Sequence, residues 1–409
     1  MKNGKQVTLP RTFSALRHRN FRLFWFGQLI SLIGTWMQSI GQSWLVLDLT
    51  KSPFMLGLVS TMGTLPVLLF TLPAGAIVDR VNKRKLIIIT QTIMLVLAFI
   101  LAILTATKLT RVWHIITLAT VLGIANAFDM PARQSFVIEM VGKEDLLNAI
   151  ALNSSAFNSA RIIGPAIAGL LIGMIGVAGC FFANGASFIA VIIGLALMQH
   201  KHEPKGPMKE SIFVDMLDGL HYIRQNRDVL TLIILVGIFS VFGMPYLILM
   251  PVFATTVLMS GAKGYGILMS CTGIGALAGA LTLASLGNFR HRGRLVLIGS
   301  ILFVVFVFMF ALSRNFVLSA GLLPFIGFAM VTQSATTNSL LQTIAPDHLR
   351  GRVMAVFSTM FVGFAPLGSF QAGLVAQHYG APISVIIGSA VMTLSIVLVL
   401  LLRPQVKNL

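Results

Sequence analysis

Twelve apolar runs, each long enough to cross a bilayer, leave this chain few folds to choose from. They lie at about 22–48, 53–77, 84–106, 112–140, 147–175, 178–199, 229–258, 262–287, 294–313, 315–342, 353–377 and 380–402. A helix needs about 20 residues to span the hydrocarbon, so the longer runs are expected to tilt or to project beyond it. With 56% hydrophobic and only 10% charged residues, the 409-residue chain cannot cover itself with polar surface in water. Soluble domains carry roughly a quarter charged residues. The expected fold class is all-α membrane, with lipid as the solvent for most of the chain.

The formal charge of +18 comes from 30 Lys and Arg against 12 Asp and Glu. The basic residues are scattered between the runs and form no single stripe, which argues against nucleic acid as a partner. They sort by topology instead. With the N-terminus inside, the outer loops hold Lys51, Lys108, Arg111, Lys263 and Arg314, while Arg133 and Arg161 fall within spans. The large remainder then lies on the inner side, as the positive-inside rule requires. A multi-pass protein of the inner (cytoplasmic) membrane is predicted, with both termini in the cytoplasm. No cleavable signal peptide is legible, because the first run continues past a short h-region. Cys180 and Cys271 sit in apolar runs of different halves and are read as buried small side chains, not as a disulfide.

Residues 200–228 are polar and separate six runs from six. They divide the chain into an N-terminal bundle over 1–199 and a C-terminal bundle over 229–409. Within the connector, Ile212, Phe213, Met216, Leu217, Leu220 and Ile223 have helical apolar spacing. An amphipathic helix that packs on the cytoplasmic face is expected there. The two halves also echo each other. Gly123, Asp129, Pro131, Arg133 and Gln134 precede the exit Lys143-Glu144-Asp145-Leu146; Gly327, Gln333 and Asn338 precede Asp347-His348-Leu349-Arg350. In the following span, Gly164-Pro165 sits opposite Ala365-Pro366. Matching Gly/Pro interruptions in two halves point to a transporter core.

Between spans two and three runs Gly75-Ala-Ile-Val-Asp79-Arg80-Val-Asn-Lys83-Arg84-Lys85. This string resembles motif A of the major facilitator superfamily. Gly75 would allow close helix contact, Asp79 could face a helix N-terminus, and Lys83 could pair with Glu139 at the inner end of span four. The second-half counterpart, Ala284 to Arg294, keeps the basic cluster but has Asn288 in place of the acid. In span five, Ala160-Arg161-Ile-Ile-Gly164-Pro165-Ala-Ile-Ala168-Gly169 resembles the antiporter motif C of drug exporters, with Ala160 and Ala168 replacing two glycines. Either an export-specific device or an ordinary packing kink is compatible with it. The Phe13–Trp25 and Trp36–Leu49 stretches, Pro131–Ser135 and Arg161–Pro165 resemble the transmembrane secretion effector branch, which includes enterobactin-exporter-like proteins. The resemblance implies two six-helix pseudo-symmetric bundles, alternating access, and export of small molecules with the proton as coupling ion.

Polar residues inside the runs are the candidate site. Gln28, Ser31, Thr35, Gln38 and Gln42 form a stripe along span one, which must face protein or a water-filled cavity. Asn126, Asp129 and Arg133 share a face of span four, with the last two spaced for an ion pair that Arg161 could join. Read functionally, these residues couple transport. Read structurally, which we favour, they hold spans two, four and five together. Asp48 ends span one and is a further coupling candidate. Asn158 in span five, with Gln333 and Thr337 in span ten, completes the cavity-lining set. No phosphate-binding loop, metal cluster or catalytic constellation is legible, so no cofactor, metal or enzymatic activity is expected. The expected partners are a small amphipathic molecule such as a drug or siderophore, membrane lipids and protons, with the protein acting as a monomer. Two alternatives remain open: a lysolipid translocator of the same fold, and a non-transporting membrane sensor or enzyme.

Overall fold

A computed structural model of the protein describes residues 11–78, 80–198, 220–286 and 291–409. Among the described residues it is built from helices, with no strand. The first bundle comprises α1 (Arg19–Thr50), α2 (Pro53–Val78), α3 (Lys83–Ala106), α4 (Val112–Val141), α5 (Leu146–Ile175) and α6 (Val177–Ala196). The second comprises α7 (Arg227–Val257), α8 (Gly261–Leu286), α9 (Arg292–Leu312), α10 (Phe316–Ile344), α11 (Leu349–Tyr379) and α12 (Ala381–Leu402). Eleven of these helices are long and apolar enough to cross a membrane, and α1 is the twelfth membrane-length helix. Its apolarity is diluted by the same glutamines that mark it as a candidate cavity helix. The expected connector helix and Asn288 of the second basic loop lie outside the described residues, as does Asp79, except that 220–225 are helical.

The loops α2–α3 and α4–α5 define one end of the molecule, called here the basic end. A short 3-10 turn, Arg11–Arg17, docks there on the start of α5. Ser14 Oγ donates to Asp145 Oδ1 at 2.5 Å, His18 Nε2 lies 2.8 Å from Asp145 Oδ2, and the Ala15 amide donates to Asn148. These bonds hold the Asp145 carboxyl below its ordinary value of 3.8, Ser14 contributing most.

Two helices depart from regular α geometry. In α7 the segments Phe239–Gly243 and Phe253–Val257 are π-helical, and in α11 so is Thr359–Gly363. Prolines account for the first. Pro245 has no N–H, so the Val241 carbonyl four residues earlier loses its helical donor. Gln371 of α11 supplies the missing bond at 3.0 Å. The π segments touch one another, with Ser240 Oγ donating to Phe361 O at 2.8 Å. This places a deformable turn in each of the two helices, at the same depth.

The halves meet along α2 with α11 and α5 with α8, toward the end opposite the basic loops. Ser52 Oγ donates to Gln377 Oε1 at 2.6 Å, Ser60 and Ser369 hydroxyls lie 3.2 Å apart, and Thr61 Oγ1 donates to Pro366 O at 3.0 Å. Gly57 and Gly373 face each other so closely that a Cβ on Gly373 would stand 3.0 Å from the Gly57 Cα. On the other seam Ser270 Oγ donates to Ile162 O at 3.0 Å. Small residues make this approach possible.

Candidate functional site

A cleft of about 310 Å³ lies between α2, α4 and α11, lined among others by Leu68, Thr71, Pro131, Gln134, Ser358 and Gly363. These residues lie in the portions of the three helices nearer the basic end. At the far end Trp44 of α1 stacks over Tyr265 of α8 with ring centroids 6.4 Å apart.

Arg161 occupies the middle of α5, a helix of 30 residues. Pro165 removes the donor that its backbone carbonyl would otherwise bond. Its guanidinium Nε and Nη2 are buried and have no hydrogen-bond partner. Tyr246 of α7, only 1% exposed, lies within electrostatic reach of it. The Tyr246 hydroxyl approaches Thr272 of α8 without closing a hydrogen bond. Arg161 therefore does not join Asp129, contrary to the expectation from sequence. Its face of α5 turns to the other half of the molecule.

Asp129 is fully buried. It accepts from Thr90 Oγ1 at 2.7 Å and Gln91 Nε2 at 3.0 Å, both on α3, and forms an ion pair with Arg133 one turn along α4. The network ties α3 to α4, rather than α2 to α4 and α5 as expected. The sequence missed Thr90 and Gln91, which stand next to each other in an apolar run; buried hydroxyl and amide in lipid are a signal that could have found them.

In the motif A loop, Lys83 Nζ donates to Glu139 Oε1 at 2.6 Å, with only 5% of the Lys83 side chain exposed. Arg84 donates to the Leu195 and Ala196 carbonyls at 2.7 and 2.8 Å, capping the C-terminus of α6 with a cation. Arg80 is exposed. Gly75 departs from expectation: a Cβ there would meet nothing within 4 Å, so it makes no close helix contact. Its neighbours Ala74 and Val78 are buried, so α2 is packed here and only the side carrying Gly75 is open.

In α5, a Cβ on Gly164 would meet Ile33 O at 3.0 Å, so this glycine packs on α1. Gly169 faces the Gly266 Cα of α8 and forms part of the seam between halves, with Pro165 on the same contact. The α1 stripe is divided. Gln38 accepts from Asn184 Nδ2 at 2.6 Å, and Ser31, 2% exposed, lies on the same side toward α6. Those two are helix-contact residues and not cavity lining, because one side of α1 has to satisfy the polar side chains of α6. Thr35 is exposed, Gln42 is half-buried, and Gln28 is buried with its Oε1 unpartnered. Asn126 and Asn158 are half-buried, the latter bonded to Ser154 O. Gln333 and Thr337 are buried within the second bundle, where the α10 backbone at Gln333 packs against Gly299 of α9, so they line no open space. Asp48 is exposed and pairs with Lys51 at 2.7 Å, ending α1.

The arrangement is that of a major facilitator transporter. The nucleoside transporter NupG, a solved structure, superposes with a TM-score of 0.73 at 15% identity, covering 93% of this chain and 97% of that one. The chain matches the Transmembrane secretion effector family over residues 10–408 and belongs to it. The staphyloferrin A transporter of Staphylococcus aureus (strain NCTC 8325 / PS 47) is 27% identical, covering 88% of this chain and 90% of that protein. The multidrug efflux pump Tap of Mycolicibacterium fortuitum is 26% identical, covering 88% and 89%.

Proposed function

We propose that the protein is a proton-coupled exporter of small amphipathic molecules in the inner membrane, working as a monomer by alternating access. The basic end is the cytoplasmic end under the positive-inside rule. The cleft between α2, α4 and α11, set toward that end, carries the reading. On this reading the state described here faces the cytoplasm, with the α2–α11 and α5–α8 seams closing the opposite side. Rocking the halves would separate the Gly57–Gly373 contact and bring the free surface around Gly75 onto its neighbour. The π segments of α7 and α11 are suited to absorb the change, because their backbone bonds are already shared with side chains. Relatives that move a siderophore and drugs support the substrate size and the outward direction.

Asp129 is the carboxylate farthest from the ends of any spanning helix, which makes it the first residue to test as proton carrier. Its bonds to Arg133, Thr90 and Gln91 favour a locking role between α3 and α4 instead. The experiment is uptake into inside-out vesicles, with carboxyfluorescein, ethidium and a macrolide as probes. Accumulation is expected for at least one probe and should stop when the pH gradient is collapsed. Accumulation that survives the collapse would remove proton coupling. Asp129→Asn is expected to lower the amount of folded protein while the remaining activity keeps its gradient dependence.

A further inference from the structure

Among the described residues no acid pairs with Arg161. A guanidinium stays protonated, and a charge at mid-membrane depth persists only where it is paired or faces a water-filled space. Among the described residues the acids of the first bundle are placed elsewhere: Asp129 pairs with Arg133, Glu139 with Lys83, Asp48 with Lys51 and Asp145 with His18, while Glu144 is exposed in the α4–α5 loop at the basic end. The described residues of the second bundle offer no substitute, since Asp228 lies in the first turn of α7 and Asp347 just precedes α11, both at the basic end. The two nitrogens of Arg161 left without partners are Nε and Nη2. These lie along one edge of the guanidinium, the edge that receives both oxygens of a carboxylate side-on. Tyr246, from the opposite half, brings a buried hydroxyl that also lacks a partner. Phe157 stands one turn before Arg161 on the same face of α5 and packs edge-on against Trp36 at 5.8 Å.

We propose that Arg161, on the face of α5 turned to Tyr246 of α7, is an anion-recognition residue, and that the cargo is an amphipathic carboxylate. Its two oxygens accept from Arg161 Nε and Nη2, the Tyr246 hydroxyl donates a third bond, and the apolar body lies toward Phe157 and Trp36. This rests on the exporter reading above and names the chemistry of its substrate. It also gives the halves a reason to move together, because the anion bridges α5 and α7 across them. An occupied site has no net charge left to hold in lipid, whereas the empty site keeps an uncompensated cation.

The test is thermal unfolding of the full-length protein in detergent, with 2-naphthoate, 1-naphthyl phosphate and the uncharged 2-naphthamide as probes. 2-Naphthoate is expected to raise Tm, and 2-naphthamide to leave it unchanged. Arg161→Gln should weaken 2-naphthoate at least tenfold, and Arg161→Lys should retain part of the binding by charge without the two-point contact. Without any probe, Arg161→Gln should melt at or above the wild-type temperature, since it removes a lone buried charge. The proposal is overturned by equal stabilisation by 2-naphthamide, by no stabilisation by either anion, by an unchanged naphthoate response in Arg161→Gln, or by a lowered Tm of that variant without probe. Stabilisation by 1-naphthyl phosphate and by phosphatidylglycerol over phosphatidylcholine nanodiscs, without a response to 2-naphthoate, would assign the site to a lipid headgroup and overturn a carboxylate cargo. The two readings fail separately. Naphthoate binding without gradient-driven export would defeat the exporter reading alone. Gradient-driven export of carboxyfluorescein that is unaltered in Arg161→Gln would defeat this one alone.

Discussion

Lys83 and Asp145 show how single charges fix the basic end. Lys83 is nearly enclosed, and Glu139 supplies its counter-charge at 2.6 Å. Removing one member of such a pair costs more than removing both, because a buried charge is left behind. Glu139→Gln is expected to destabilise the protein by about 3 kcal/mol, while the double change Lys83→Met/Glu139→Met recovers most of that, as read from unfolding temperatures in detergent. Asp145 works through pH. Its carboxyl lies below the ordinary 3.8 because Ser14 and His18 bond its ionised form. A depressed carboxylate contributes stability at all pH above its unfolded value, and that contribution disappears as pH falls through the folded value. The Ala15 amide, which bonds Asn148 beside it, should therefore exchange with solvent faster as pH is taken below about 3.8, after correction for intrinsic rates. Asp145→Asn should show the fast exchange already at neutral pH.

The helices meet where their sequences are small. The α2–α11 seam uses Gly57, Ser60, Ser369 and Gly373, and the α5–α8 seam uses Gly169 and Gly266. Paired substitution tests whether the first seam opens. The hydroxyl separation of 3.2 Å between Ser60 and Ser369 puts Ser60→Cys/Ser369→Cys within reach of a disulfide. Oxidation should cross-link this pair in the state described and stop transport, and reduction should restore it. Full transport by the cross-linked protein would show that this end stays closed throughout the cycle. The π segments were not legible in the sequence. Pro245 marks a broken bond, but a proline alone does not say whether the backbone kinks, stays straight or widens to a π turn. Gln371, 126 positions later in the chain, settles that by bonding Val241 O.

At the scale of the whole molecule, the proposed orientation rests on the charge distribution. In a Cys180→Ala/Cys271→Ala background, Arg80→Cys should react with an impermeant maleimide in inside-out vesicles and not in intact cells; the reverse labelling would invert the topology. Twelve spans, the two-half layout and the membrane fold class were legible in the sequence because each is local. A run of about twenty apolar residues is a helix in lipid whatever its neighbours do, since its backbone bonds close within the run. The pairing of Lys83 with Glu139 was legible for a similar reason, as both sit at helix ends joined by short loops. Other contacts depended on which way each helix turned. Gln38 went to Asn184, Asp129 to Thr90 and Gln91, and Arg161 to the neighbourhood of Tyr246, with 84 residues of chain between those last two. Apolar helices look alike on every side from sequence, so a polar residue within one announces only that it must face protein or water. The tertiary structure alone decided which: it gave partners to Gln38 and Asp129, left the Gly75 side of α2 open at the basic end, and set an edge of Arg161 facing the other half with no partner among the described residues.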